Sequence, residues 1–203
     1  MESNNLGNLA SFYQEVDDII GMYYDSTKGF ALNYEQMVAA QQYFNRTASI
    51  AIEQMDETAM SYGNGVPTLP PDHPDTLAMI LYSTTQAVHK ANNTKGGKNY
   101  KVIGNLSICQ VYSYWEDYYR AHVAKDLGIL KNELRADIFG DIRLLRNSIL
   151  HHRAVALPDI EKCRLTNWFR KGDCIVIDKE KFEFIMLHVK REINGIAQRL
   201  TES

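Results

Sequence analysis

Residues Asp141 to Arg153 read DIRLLRNSILHHR, and together with Ile138 just ahead of them they carry the clearest periodicity in the chain. Ile138, Ile142, Leu145 and Ile149 recur at intervals of four, three and four. At about 100° per residue this spacing puts them on one narrow stripe of an α-helix, and such a stripe faces a core. Arg146 stands roughly 80° to one side of it, while Asn147 and His151 point nearly the other way, only about 40° apart. The helix therefore buries one face and presents an arginine, an asparagine and two histidines on the rest.

A chain of 203 residues, 45% apolar and 23% charged, is long enough for one well-buried core and short for two, so a single domain over residues 1–203 is expected. Five prolines and twelve glycines are too few for a disordered chain. There is no run of about eighteen uncharged apolar residues to span a membrane, and the N-terminus MESNNLGNLASF lacks the basic and apolar regions of a signal peptide. These readings predict a cytoplasmic protein without a membrane segment.

Cys109, Cys163 and Cys174 are odd in number, widely spaced and outside any CxxC pair, which suits buried small hydrophobes. The six histidines form no HExxH or Cys/His ligand grouping, and His151 and His152 point about 100° apart on a helix. No metal and no cofactor is expected. The Gly96-Gly97-Lys98 triplet is not a phosphate loop, because that pattern needs glycine at position 92 and Ser or Thr at 99, and both are asparagine.

The net charge of -3 is unevenly distributed: residues 1–99 hold five Lys/Arg against eleven Asp/Glu, whereas residues 120–171 hold eleven against six. A basic region on an acidic chain suits a phosphate-bearing ligand approached from one side. Charges that merely segregate on a solvated surface would look the same.

In chain order, apolar spacing predicts a first helix over Leu6–Tyr24, closed by Asp25–Gly29, and a second from an Asn33 cap to Tyr62 with a buried Met and Ala stripe. After the Pro/Gly loop Gly63–His73, a third helix starts at Pro74 and buries Leu77, Ile80, Leu81, Thr84 and Val88. A fourth, about Val102–Asp126, buries Ile108, Val111, Trp115, Tyr118 and His122. On it Glu116 and Arg120 form an i,i+4 pair, or else Glu116 reaches Arg146. Gly128 ends this helix, Asn132 caps the next, and that one runs to Arg153. Asp159 starts a short helix carrying Trp168 and Phe169, Cys174–Ile177 is the one run that reads as a strand, and Asp178 caps a last helix. The fold class is all-α, an up-and-down helical bundle with a short extended segment near residues 174–177.

An arginine and a histidine on one helix are a kit for attack on a phosphodiester. Arginine forks onto two phosphate oxygens and stabilises the charge of a five-coordinate transition state. Histidine titrates near neutral pH and can move a proton from a 2'-hydroxyl or to the leaving oxygen. Arg146 and His151 diverge by roughly 140°, so a complete site is easier to build from two such helices, which predicts a two-fold dimer. The structural alternative is an arginine held in place with a histidine favoured by the helix macrodipole.

Arg146-Asn147-Ser148-Ile149-Leu150-His151 resembles the R-polar-x-x-x-H form of the Rx4-6H motif of the HEPN superfamily of all-helical proteins. The resemblance covers the motif helix closely, including the preceding IRLLRN, and the helical layout loosely. It implies a metal-independent endoribonuclease of the kind found in toxin-antitoxin, abortive-infection and other defence systems, with its site at a homodimer interface. It assigns Arg146 to phosphate binding and transition-state stabilisation, His151 to proton transfer and Asn147 to positioning, and it matches Glu116 to an acidic residue on an upstream helix. Arg143, His152, Arg120 and Arg153 have no place in the motif and are candidate RNA-phosphate contacts. The implied partners are RNA, a second copy of the chain, and an antitoxin or other defence protein. Two functions follow: an RNase acting by 2'-hydroxyl attack to leave a 2',3'-cyclic phosphate, or a non-catalytic HEPN module that binds RNA, nucleotide or a partner protein.

Overall fold

The computed structural model describes residues 6–63 and 80–202, and these are mostly helical, an all-α fold with one two-stranded sheet among the described residues. Contacts divide the chain into two compact units, one of Met1–Thr27 with Lys101–Ser203 and the other of Lys28–Tyr100. Among the described residues no helix is long and apolar enough to cross a membrane.

The first helix, α1, spans Gly7–Ala48 without a break. The Asp25–Gly29 cluster does not end it and Asn33 does not cap a second helix. Thr27 turns its hydroxyl back onto the Tyr24 carbonyl at 3.0 Å, which lets it sit inside a helix, and a lone glycine at 29 costs only about 1 kcal/mol, too little to stop a helix with no proline in it. The helix ends where Ser49 turns left-handed (φ 55°).

In the unit Lys28–Tyr100, a short α2 (Ile52–Asp56) precedes β1 (Ala59–Gly63), which pairs antiparallel with β2 (Ile80–Thr85) in the register Ala59↔Thr85, Met60↔Thr84 and Ser61↔Ser83. Helical spacing misled here at both ends. The second helix does not extend to Tyr62, and residues 80–85 are a strand because ILYSTT is rich in β-branched and aromatic residues. The Pro74 start and Leu77 lie outside the described residues. α3 (Gln86–Asn93) follows, capped by Thr85, whose hydroxyl accepts from the Val88 N–H. Of the expected Met and Ala stripe Met55 is buried and Met37 half-buried, whereas Ala40, Phe44 and Ala48 are exposed. Gln41 is buried instead: its amide donates to Asp56 and Gln86, and its carbonyl accepts from Lys90 at 2.8 Å.

The hydrophobic core cluster lies wholly within the other unit. α4 (Lys98–Tyr114) runs into a π-helical turn (Trp115–Tyr119) and α5 (Arg120–Asp126). A π turn holds an extra residue, so the buried face shifts by one position. Trp115 is therefore followed in the core by Tyr119 and Val123, and not by Tyr118 and His122, which are exposed. Trp115 stacks on Phe139 (centroids 4.2 Å apart), and Phe12 meets Trp115 and Tyr119 at 5.4 and 5.0 Å.

Gly128 ends α5 with a positive φ of 69°, as a C-terminal glycine does. Asn132 does not cap the next helix; residues 131–133 are a turn closed by the Glu133 carboxylate on the Leu130 N–H, and α6 starts at Asp137 and ends at His151. Ile138, Ile142 and Leu145 are buried and Ile149 packs against the core, so the predicted stripe stands. A 3-10 turn (Pro158–Lys162) takes the place of the short helix expected to carry Trp168 and Phe169, and α7 (Lys179–Glu202) closes the unit with its first turn capped by the Asp178 carboxylate on the Lys181 N–H. Cys109 and Cys163 are buried, whereas Cys174 is exposed.

The segment 174–177 is extended but belongs to no sheet among the described residues. Cys174 bridges to Val155, and Ile175 donates to the Ala154 carbonyl at 2.7 Å. On its other side the buried Asn105 amide of α4 donates to the Ile175 carbonyl and accepts from the Ile177 N–H, both at 3.0 Å. Gly104 makes this approach possible, because a Cβ there would stand 2.0 Å from the Ile177 carbonyl oxygen.

Candidate functional site

The candidate residues sit on α6 and just past its end, and on the π turn and the first residue of α5 beside it. Arg146 is half-buried on the flank of α6, away from the apolar stripe. Its guanidinium carbon lies 5.8 Å from the Tyr112 ring centroid, and its Nε–H is shut off from solvent with no hydrogen-bond partner among the described residues. It has no carboxylate partner among the described residues. The arginine is thus held by an aromatic face and a helix flank, with its charge left uncompensated.

Glu116, which could have neutralised it, is committed elsewhere. It pairs with Arg120 at 2.8 Å and with Lys131 at 3.0 Å, so the i,i+4 partner wins and the Glu116–Arg146 pair does not form. Burial pushes the Glu116 carboxyl up, but hydrogen bonds and charge from Arg120 and Lys131 outweigh it, and the net pKa is lowered. Arg120 also donates through Nε to the Leu134 carbonyl at 3.0 Å, which fixes it as a bracket between the π turn and the following turn.

Tyr112 is a site residue that sequence reasoning did not single out. It is buried, and its hydroxyl pKa is raised by burial first and then by Glu116, with Arg143, Arg120 and Arg146 pulling the other way. Glu116, Arg120 and Arg143 line one cleft with Tyr112, and Arg146 stands over its ring. The i, i+4, i+8 spacing of Tyr112, Glu116 and Arg120 was the available signal. Beside Arg146 the Cys109 thiol is pushed up to about 11 by burial despite that cation, so it remains a neutral, inert sulfur.

His151 is the last residue of α6 and is exposed, and it makes no hydrogen bond among the described residues. It is not brought to Arg146 within this chain: the helix carries the two on different flanks, about 7.5 Å apart along its axis. Asn147 is half-buried between them, and Leu150 beside them is exposed. The end of the helix is firmly placed. Ala154 donates to the Ile149 carbonyl at 3.2 Å, and the Ser148 hydroxyl accepts from the Leu157 N–H at 3.1 Å. Arg153 occupies the left-handed position (φ 54°) at which helices usually carry glycine. His152 and Arg153 are both exposed.

A cleft of about 690 Å³ opens beside this region, bounded by Tyr112, Glu116 and Arg120 on one side and Gly140, Arg143 and Arg164 on the other. Of the candidate residues, Glu116, Arg120 and Arg143 line it, whereas Arg146, Asn147, His151, His152 and Arg153 do not. No family model matches the chain, and no curated protein or solved structure matches it either. No group of three or more His, Cys, Asp or Glu side chains is placed to hold a metal among the described residues.

Proposed function

We propose that the chain is a HEPN-type, metal-independent endoribonuclease that cleaves RNA by attack of the 2'-hydroxyl, with Arg146 and His151 of two copies completing a composite site. The observation that carries the reading is the state of Arg146: a guanidinium with no carboxylate partner among the described residues, backed by Tyr112 while Glu116 is drawn off by Arg120 and Lys131. An uncompensated arginine on a helix flank is ready to fork onto a phosphate and to meet the charge that builds on it in the transition state. The divergence of Arg146 and His151 on one helix supports supply of the histidine by a second copy, with His151 moving the proton and Asn147 orienting its neighbours.

The exposed His151, which no hydrogen bond orients among the described residues, favours a second reading, a module of the same type that binds RNA, nucleotide or a protein partner without cleaving it. Incubation with RNA in EDTA, followed by analysis of product ends, separates the two. Products ending in 2',3'-cyclic phosphate, lost in Arg146→Ala and in His151→Ala, support the ribonuclease. Binding without cleavage supports the module.

A further inference from the structure

α6 carries a glycine, Gly140, one turn inside its N-terminus, and among the described residues outside its own helix backbone nothing lies within 4 Å of the point where its Cβ would stand. Glycine inside a helix costs stability relative to alanine, and at a position with open space beside it no packing demand explains the residue. The open space is the cleft beside Tyr112. Three residues on, Arg143 also lines that cleft; it is exposed and makes no hydrogen bond or ion pair among the described residues. Three further on stands Arg146. The three positions climb α6 in steps of about 4.5 Å, each turned about 60° from the last.

The other cations of the cleft are mostly spoken for. Arg120 is held by Glu116, Lys162 by Asp159 and Arg164 by Asp137. Tyr112 both lines the cleft and backs the Arg146 guanidinium, so the cleft and the motif share a wall. A volume of about 690 Å³ lies in the range of small-ligand sites and is the size of one or two nucleotides.

We propose that this cleft is the path of the RNA strand next to the scissile phosphate, with the neighbouring phosphate on Arg143 and the sugar-phosphate backbone brought against α6 at Gly140. The proposal rests on the ribonuclease reading of Arg146 and His151 and adds to it a second phosphate contact and a steric requirement outside the motif. Single-stranded RNA is the ligand because Arg143 and Arg146, neither with a carboxylate partner among the described residues, stand in file along one helix beside a cleft the size of one or two nucleotides, and Arg135 at the same cleft donates only to the Asn132 carbonyl.

The test uses the full chain carrying His151→Ala, so that the strand stays intact, titrated with a labelled oligouridylate in EDTA over a range of salt concentrations. Into it are placed Gly140→Ala, Gly140→Gln and Arg143→Ala. Gly140→Ala is expected to raise the melting temperature and leave affinity nearly unchanged. Gly140→Gln, also a good helix former, is expected to weaken binding by about tenfold or more. Arg143→Ala is expected to reduce the salt slope by about 0.7. If Gly140→Gln fails to fold, the exposed Arg143 position decides alone. Unchanged affinity and slope in both Gly140→Gln and Arg143→Ala would overturn the strand path while leaving the motif untouched, and a parent that does not bind the oligouridylate would also overturn it. The motif itself fails separately, if Arg146→Ala in the otherwise native chain still cleaves at the native rate.

Discussion

Asp141 and Thr166 are joined twice: the Asp141 carboxylate accepts from the Thr166 backbone N–H at 2.7 Å and from its hydroxyl at 3.1 Å. The same carboxylate accepts from the N–H groups of Arg164 and Leu165 at 2.8 and 2.7 Å, so one buried side chain satisfies three consecutive amides. Asp141→Ala would leave those amides without partners in a dry setting and should cost about 3 kcal/mol. Urea denaturation checks this, with a lowered midpoint and an unchanged slope expected. Asp141→Asn, which keeps one acceptor oxygen, should lose less.

Arg146→Ala should lower RNA cleavage by about 10²- to 10³-fold and His151→Ala by about 10²- to 10⁴-fold. Neither should move the melting temperature far, because His151 is exposed and Arg146 makes no hydrogen bond or ion pair among the described residues. A drop in activity that follows a drop in stability would count against a chemical role.

A composite site makes a prediction that a single-chain site does not. Mixing the Arg146→Ala and His151→Ala chains gives mixed dimers in which one copy supplies the arginine and the other the histidine. Partial recovery of cleavage on mixing is expected, read in a simple RNA degradation assay. A mixture as inactive as its components would place both groups in one chain.

Glu116 has its pKa lowered below the ordinary 4.5, so it binds protons less readily folded than unfolded. Its contribution to stability is present above the unfolded value and is lost as pH falls through the lower folded value. The melting temperatures of the native chain and Glu116→Gln should therefore differ by a constant amount from neutrality down to about pH 5 and converge below that. For a partly exposed pair the difference should be about 1 kcal/mol. A gap that widens in acid would contradict the assigned sign.

Arg153 holds a left-handed conformation that glycine adopts without strain. Arg153→Gly should raise stability by about 1 kcal/mol, measured by thermal melting. If the side chain also contacts phosphate, the same substitution should reduce the salt slope of RNA binding by about 0.7. Stability and binding would then move in opposite directions at one residue.

The all-α class and the buried stripe of α6 were legible because both follow from 3.6-residue periodicity alone. The Glu116–Arg120 pair was legible for the same reason. What was hidden depends on relations that periodicity does not encode. Asp141 reads as a polar residue at the edge of an amphipathic helix, and only the loop at Arg164–Thr166 makes it an anchor. Cys174–Ile177 reads as a strand, yet its partners are residues 154–155 and one asparagine of a helix. At Asp25–Gly29 polar turn-forming residues lie inside a helix, because nothing there removes enough hydrogen bonding to end it. Tyr112 was visible as an aromatic but not as the residue that shares a cleft with Glu116, Arg120 and Arg143 and backs Arg146.

The π turn at Trp115–Tyr119 has a consequence for how this chain can be compared with others. Residues before it and after it keep two different frames, offset by one position, and Trp115, Tyr119 and Val123 are the buried residues across that offset. A relative whose corresponding helix is straight would carry one residue fewer between the two buried faces. Correct alignment then requires a gap of one residue in the middle of a continuous helix, the place where gaps are least expected. Without it, Tyr118 and His122 would be matched to core positions, and either Glu116 or Arg120 would fall one step out of line with its counterpart.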